Sequence, residues 1–181
     1  MSNIIVPKRG ILMPTREGFK AGGFYIVDMI RPSWDNEVIW REEMFENLIV
    51  NEGLEELFTN GLTGSALYLG LTGTTPNVQA ADTLASKSWT EFTGYDEVTR
   101  ELWDFVQTVA SATNAASRAE FTITSPAQTI GGVFAARSST KAETASVLYS
   151  AAAFATGDRT GNQAGDIIRQ TYIANATDDG I

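Results

Sequence analysis

Four carboxylates lie in one short stretch in the middle of the chain, interleaved with aromatic residues. The acids are Glu91, Asp96, Glu97 and Glu101, and the aromatics are Trp89, Tyr95 and Trp103. Glycoside hydrolysis needs two carboxylic acids about 5–10 Å apart, and aromatic rings beside acids are typical of sugar-binding sites. The same pattern also describes a pair of half-exposed strands, which is the interpretation we favour.

Catalytic mechanisms that use histidine or cysteine are excluded by the composition of the chain. The chain contains no histidine and no cysteine. Histidine bases, cysteine nucleophiles, Ser-His-Asp triads and the usual zinc sites therefore have no residues from which to form. We predict a protein that is not an enzyme, with no catalytic, cofactor-binding or metal-binding residues.

Two loop motifs were considered as ligand sites. Gly70-Leu-Thr-Gly73 and Gly131-Gly132 lack the spacing and the following Lys-Ser/Thr of a phosphate-binding loop. The polar stretch 157–166 carries oxygen ligands at intervals, but it lacks the Asp/Asn-Gly core and the closing glutamate of an EF-hand loop. Calcium binding there is the minor alternative to a solvated turn.

The charge of the chain limits its partners. The net charge is −9, from 13 Lys and Arg against 22 Asp and Glu, which leaves little material for a nucleic-acid-binding face. No apolar run approaches the ~20 residues of a membrane-spanning helix. We therefore expect neither nucleic acid nor membrane as a partner. An acidic surface serves solubility first, and docking onto a basic partner is the more specific alternative.

The elements that must position any site are short strands. Residues 21–31, 37–42, 66–71, 118–124, 130–136, 147–154 and 167–173 have strand composition, and 97–108 fits a strand better in context than a helix. One helix is predicted after Asn51, a good N-cap, and it ends at Asn60-Gly61. The stretch 111–117 is predicted to be a turn, 72–88 a long loop, and 175–181 an acidic tail.

Regular spacing of eight or nine short strands predicts a mainly β fold, an antiparallel β-sandwich or barrel-like domain with one short helix. Residues 21–181 are predicted to form this single domain. Residues 1–20 contain Pro7, Gly10, Pro14 and Gly18 and are predicted to be an extended N-terminal arm.

The order of several short motifs resembles that of small structural proteins of tailed-phage particles. The set runs from a Gly-Phe-Tyr strand at Gly23, through 47–54 (NLIVNEGL) and 68–73 (YLGLTG), to Gly131-Gly-Val-Phe134 and Gly165-Asp166 before the last strand. No single motif is specific; the ordered set, from Ala21 to Ile173, carries the resemblance.

This resemblance implies a non-enzymatic virion component, foremost a capsid cement (decoration) protein that binds across joints between major capsid subunits. It is implied to be made in the host cytoplasm and to lie on the outer surface of the capsid. The partners implied are the major capsid protein and copies of the chain itself, with a homotrimer as one arrangement. A head–tail connector, tail or fibre component, which could also bind carbohydrate, is the alternative.

Candidate partner contacts are the apolar residues of the arm, an exposed-looking tryptophan and residues at the long loop. Tryptophans are enriched at interface centres, although they also fill cores. The residues are Ile4, Ile5, Val6, Ile11, Leu12, Met13, Trp34, Pro76 and Trp89.

Overall fold

The computed structural model describes residues 19–61, 64–108 and 110–178. The described residues form twelve strands, one α-helix (α1, Asn51–Asn60) and one 3-10 turn (Pro32–Trp34). The strands are β1 (Phe19–Arg31), β2 (Glu37–Glu46), β3 (Leu48–Ile49), β4 (Tyr68–Thr72), β5 (Glu91–Phe92), β6 (Glu101–Leu102), β7 (Val106–Gln107), β8 (Ser111–Thr113), β9 (Ala119–Thr122), β10 (Gly132–Ala136), β11 (Leu148–Ala153) and β12 (Ile167–Asp178).

The strands form two antiparallel sheets, which confirms the predicted sandwich-like fold. Sheet A has the order β2-β1-β12-β8-β7, with β9 also paired to β12. Sheet B has the order β3-β11-β10-β4-β5, with β6 also paired to β4. Alternate side chains from both sheets meet in one buried core that includes Tyr25, Val27, Leu69, Leu71 and Val133. Burial of this apolar surface is the main stabilising contribution to the fold.

The longest ladder joins the first and last strands. β1 pairs with β12 from Phe19 opposite Asp178 to Ile30 opposite Ile167. The sequence predicted that the last strand ends at Ile173 and that an acidic tail follows, which is wrong. β1 extends far enough to pair the main chain of 174–178, so the strand continues.

Two further local predictions differ from the structure. The stretch 111–117 was predicted to be a turn, but Ser111–Thr113 forms β8 and pairs with both β7 and β12. Asn51 was predicted to be the helix N-cap. Val50 occupies that position, and the main-chain N–H of Asn51 donates to the carbonyl of Ala80. The helix itself and its end at Gly61, with φ of 69°, are confirmed.

The segment 73–90 forms a third layer over the outer side of sheet B. It brings Val78, Leu84 and Trp89 onto Phe134, whose outward ring lies 5.3 Å from the indole of Trp89. Val50, just before α1, completes this second apolar cluster. The predicted long loop is therefore largely a cover for sheet B.

The predicted arm lies almost entirely outside the described residues. Ile4, Ile5, Val6, Ile11, Leu12 and Met13 lie outside the described residues. Phe19 and Lys20, which were assigned to the arm, belong to β1.

Candidate interaction surface

The carboxylate cluster of the sequence is engaged in structural contacts. Both carboxylate oxygens of Glu91 accept hydrogen bonds from Arg100, at 2.9 and 2.7 Å, and the ion pair is buried. Arg100 also donates to the carbonyls of Ser138 and Glu143. Its guanidinium lies 5.1 Å from the ring centre of Phe134, so the pair anchors the covering layer of sheet B.

The neighbouring acids and aromatics do not form a sugar site either. The carboxylate of Glu97 accepts the main-chain N–H of Thr122 with both oxygens. Trp89, Tyr95 and Trp103 are each at most 5% exposed, so none offers a ring to a ligand at the surface. The predicted pair of half-exposed strands is not found here either, because β5 and β6 each pair with β4 and not with each other, and these aromatic side chains are buried.

Within this carboxylate cluster, Glu101 has a raised pKa. Burial raises its pKa, the nearby carboxylates of Glu97 and Glu120 raise it further, and Lys141 opposes them. Lys141 donates to the main-chain carbonyl of Tyr95 and lies 3.7 Å from the centre of that ring. These groups sit where β6 of sheet B approaches β9 of sheet A.

The acidic side chains of the polar stretch 157–166 also form hydrogen bonds with other residues of the chain. Asp158 accepts hydrogen bonds from the main chain and the hydroxyl of Thr75. Asp166 forms a buried bidentate pair with Arg31 at 2.9 and 2.8 Å. Burial would raise the pKa of Asp166, but the hydrogen bonds from Arg31 and Gln163 outweigh burial and lower it. Within the described ranges, no group of three or more acidic residues could hold a metal ion.

The outer side of sheet A is the surface that remains uncovered by any described element, and we call it the open face. It carries the side chains of β1, β2, β12, β8, β9 and β7 that point away from the core. Apolar members are buried (Ile30, 3% exposed), half-buried (Phe24, Ile26, Ile167 and Ile173) or exposed (Val38, Met44 and Val106).

The open face is organised in rows that cross the strands. One row runs Phe24–Ile173–Thr113–Val106. Another runs Val38–Ile30–Ile167–Thr122. Between these two rows, Met44 stands in a β-bulge opposite Ile26. Apolar side chains therefore flank both ends of the face.

A charged row occupies the middle of the open face. Arg41, Asp28, Arg169 and Glu120 stand side by side on β2, β1, β12 and β9, so their charges alternate across the sheet. Arg41 and Arg118 both pair with the buried carboxylate of Asp28, at 2.7 and 2.9 Å. Arg169 pairs with Glu120 at 2.6 Å.

A second surface lies at the edge of sheet B, where β6 pairs with β4. Val98 is 90% exposed, and Leu102 is 49% exposed and pairs with Tyr68 at the edge of sheet B. Tyr68 lines a shallow groove of about 460 Å³. Its other lining residues are polar or small: Arg137, Ser138, Ser139, Glu143, Ala145 and Ser146.

The sequence-predicted contact residues fall into different environments. Trp34 is 55% exposed and lies under the guanidinium of Arg31 at 4.7 Å, near the end of β1. Trp89 is 5% exposed against Phe134, and Pro76 is buried beside Gly132. Trp89 and Pro76 thus belong to the core of this chain and not to its surface, because the segment that carries them packs onto sheet B.

The residues of the open face were not identified from the sequence. One signal was available: 24–30 (FYIVDMI) is apolar at both alternating positions, whereas a strand with one solvated face shows polar alternation. A strand of that kind usually has both faces covered. Sheet B covers its inner face, and on its outer face Asp28 and Ile30 are buried whereas Phe24 and Ile26 stay half-buried.

Comparisons with protein-family models, with curated proteins and with solved structures find no match for this chain. Among the described residues, no helix combines the length and the apolar character needed to cross a membrane. The functional proposal therefore rests on the residues and on the surfaces that they form.

Proposed function

We propose that this chain is a non-enzymatic structural component of a tailed-phage particle. Its foremost role is that of a capsid cement protein, which binds across joints between major capsid subunits on the outside of the head and stabilises it. A head–tail connector, tail or fibre component is the alternative. The observation that carries the proposal is the placement of exposed apolar residues on two separate surfaces.

A protein that bridges subunits needs at least two contact surfaces. The open face lies on the outer side of sheet A, and the Val98–Leu102 surface lies at the edge of sheet B. Exposed apolar residues at two such places are typical of proteins that contact more than one partner. Many weak copies of such contacts, repeated over a shell, add up to a large stabilisation.

The chemistry of the chain is consistent with this role. Two of the four central acids are engaged within the chain, Glu91 by Arg100 and Glu97 by the main-chain N–H of Thr122. The net charge of −9 suits a surface that faces solvent better than one that faces DNA. The ordered motifs from Ala21 to Ile173 support a phage particle as the setting.

The copy number of the protein in virions tests the proposal. Virions of the phage that encodes the chain are purified, and the band of this protein is quantified by gel densitometry against the major capsid protein. A cement protein is expected in hundreds of copies per particle. A dozen copies or fewer would place it in the connector or tail, and absence from virions would refute the proposal.

A binding experiment tests whether the Val98–Leu102 surface and the N-terminal arm contact the capsid. Shells that lack the protein are mixed with purified wild type, Leu102→Glu or the deletion of Ser2–Gly18, which keeps β1 intact. We expect the Leu102→Glu variant and the deletion to bind more weakly. A matched control is Glu55→Gln, which changes an exposed residue of α1 that lies on neither surface. Equal binding by all four proteins would remove the arm and Leu102 from the contact.

A further inference from the structure

We propose that the open face is a self-association surface, on which a second copy of this chain packs sheet against sheet. The two copies are related by a two-fold axis that runs parallel to the strands, between β1 and β12. This inference concerns the solution state of the chain and does not depend on the phage setting.

The charged row selects this axis. Its order across the strands is Arg41, Asp28, Arg169, Glu120, which alternates in sign. A two-fold axis parallel to the strands reverses the row, so Arg41 faces the partner's Glu120 and Asp28 faces the partner's Arg169. A two-fold axis along the row would instead place like charges together, which is destabilising.

The apolar rows match under the same operation. Phe24 faces the partner's Ile173. In the second row, Val38 and Ile167 supply the accessible apolar surface, since Ile30 is already buried within each copy. Packed sheets keep their strand directions within about 30° of each other, so these facing pairs remain close despite the twist of each sheet. The charges that become buried already have partners within each copy, which lowers the desolvation penalty of bringing the faces together.

The local charge of the open face favours a second copy over a basic partner. The face has almost as many arginines as carboxylates, whereas the whole chain carries a net charge of −9. An acidic chain can approach its own copy only through a face without excess negative charge. The charged members are Arg41, Arg118, Arg169, Asp28, Glu43, Glu46 and Glu120.

The size of the open face sets the expected affinity. Strand spacing and rise give a face on the order of 20 by 25 Å, or roughly 500 Å² per copy. This is at the small end of specific interfaces, so we expect a dissociation constant in the micromolar range. The protein concentration in the experiment must therefore reach about 500 µM, so that a dimer of this affinity is populated.

Sedimentation equilibrium of the full chain tests the proposal. Wild type is expected to show a monomer–dimer equilibrium between about 1 and 500 µM. Met44→Glu is expected to weaken the dimer at least about tenfold, because it places an unpaired charge in the interface beside the apolar side chain of Ile26. Val98→Glu is the matched control, since Val98 is also exposed but lies off the open face. Thermal unfolding confirms that both variants are folded.

A charge swap tests the axis itself. The double variant Glu120→Arg/Arg169→Glu keeps the ion pair inside each copy but places like charges opposite Arg41 and Asp28 of the partner. We expect it to weaken the dimer at least about tenfold. Because position 169 also lies beside Asp28 of its own copy, thermal unfolding is measured in parallel to show that the monomer stays folded. If the swap leaves the dimer intact, the proposed axis is wrong.

Other occupants of the face give different results. A wild type that stays monomeric at all concentrations, or that forms a trimer unaffected by Met44→Glu, overturns the proposal. If deletion of Ser2–Gly18 converts a monomer into a dimer, the N-terminal residues occupy the face and the second copy does not. The virion copy number is measured independently, so either proposal can fail alone.

Discussion

The outer sides of the two sheets differ in what lies over them. On sheet B, the segment 73–90 buries Phe134 completely beneath Trp89 and Leu84. On sheet A, no described element lies over Phe24, which stays half-buried. One face is thus stabilised from within the chain, and the other retains apolar surface that is available for contacts. Two phenylalanines on equivalent outer sides therefore differ in role: the buried ring of Phe134 stabilises the fold, whereas the half-buried ring of Phe24 is available to a partner.

The largest effect is expected from a matched pair of phenylalanine truncations. Phe134→Ala removes a fully buried ring and leaves a cavity between Trp89 and Gly70, so it should lower the free energy of unfolding by about 3–5 kcal/mol. Phe24→Ala on the open face should cost less than about half as much, since part of its ring contacts solvent in both states. Urea unfolding measures both. Equal losses would mean that the two faces are equally buried in solution.

The arginines of the two faces give the next largest contrast. Arg100→Met leaves the buried carboxylate of Glu91 without its main partner and should cost about 3 kcal/mol. Arg169→Met breaks a pair whose members are 33% and 47% exposed and should cost about 0–1 kcal/mol. The same unfolding assay at neutral pH compares them. A larger loss for Arg169→Met would contradict the assignment of sheet A as the open side.

Substitutions at two glycines test how closely the segment 73–90 packs against sheet B. A Cβ at Gly131 would overlap the main chain of Thr74 and Thr75, whereas a Cβ at Gly22 on β1 would meet nothing within 4 Å. Gly131→Ala should therefore lower the free energy of unfolding by about 2 kcal/mol, by pushing the segment 73–90 away from β10. Gly22→Ala should be close to neutral. Limited proteolysis within 73–90 should accelerate only in the Gly131 variant.

Sequence patterns predicted the parts of the fold that local periodicity encodes. Alternation over 118–124 correctly placed Ala119 and Phe121 toward the core, and the continuous apolar run at 147–154 correctly indicated a strand buried on both sides. The preference for strand over helix at 97–108 is also confirmed, although only Glu101–Leu102 and Val106–Gln107 pair there.

The candidate surface depends on register, which no local pattern encodes. The charged row joins Arg41 and Asp28 to Arg169 and Glu120, which are far apart in the sequence and meet only because β12 pairs with both β1 and β9. The cover over sheet B is equally non-local, since Trp89 looks the same in sequence whether it packs onto Phe134 or faces a partner. Tertiary packing therefore determines both the charged row on sheet A and the burial of Trp89 on sheet B.

The smallest effect is expected at the rim where the two sheets meet, and it depends on pH. Glu101 has a raised pKa in the folded chain, because burial and the carboxylates of Glu97 and Glu120 disfavour its charged form. A carboxyl group of this kind destabilises the fold above its folded pKa, and the penalty disappears as pH falls below the ordinary glutamate pKa. Glu101→Gln should therefore raise the free energy of unfolding near pH 7, by less than about 1 kcal/mol after solvent screening.

The pH dependence separates this electrostatic effect from a change in packing. The difference between Glu101→Gln and wild type should shrink toward zero near pH 4, because both side chains are then neutral. Glu43→Gln is the control, since that exposed carboxylate lies 3.7 Å from Arg41 and its loss should not stabilise the chain. A gain for Glu101→Gln that stays constant between pH 4 and 7 would show that the acidic rim is not under electrostatic strain.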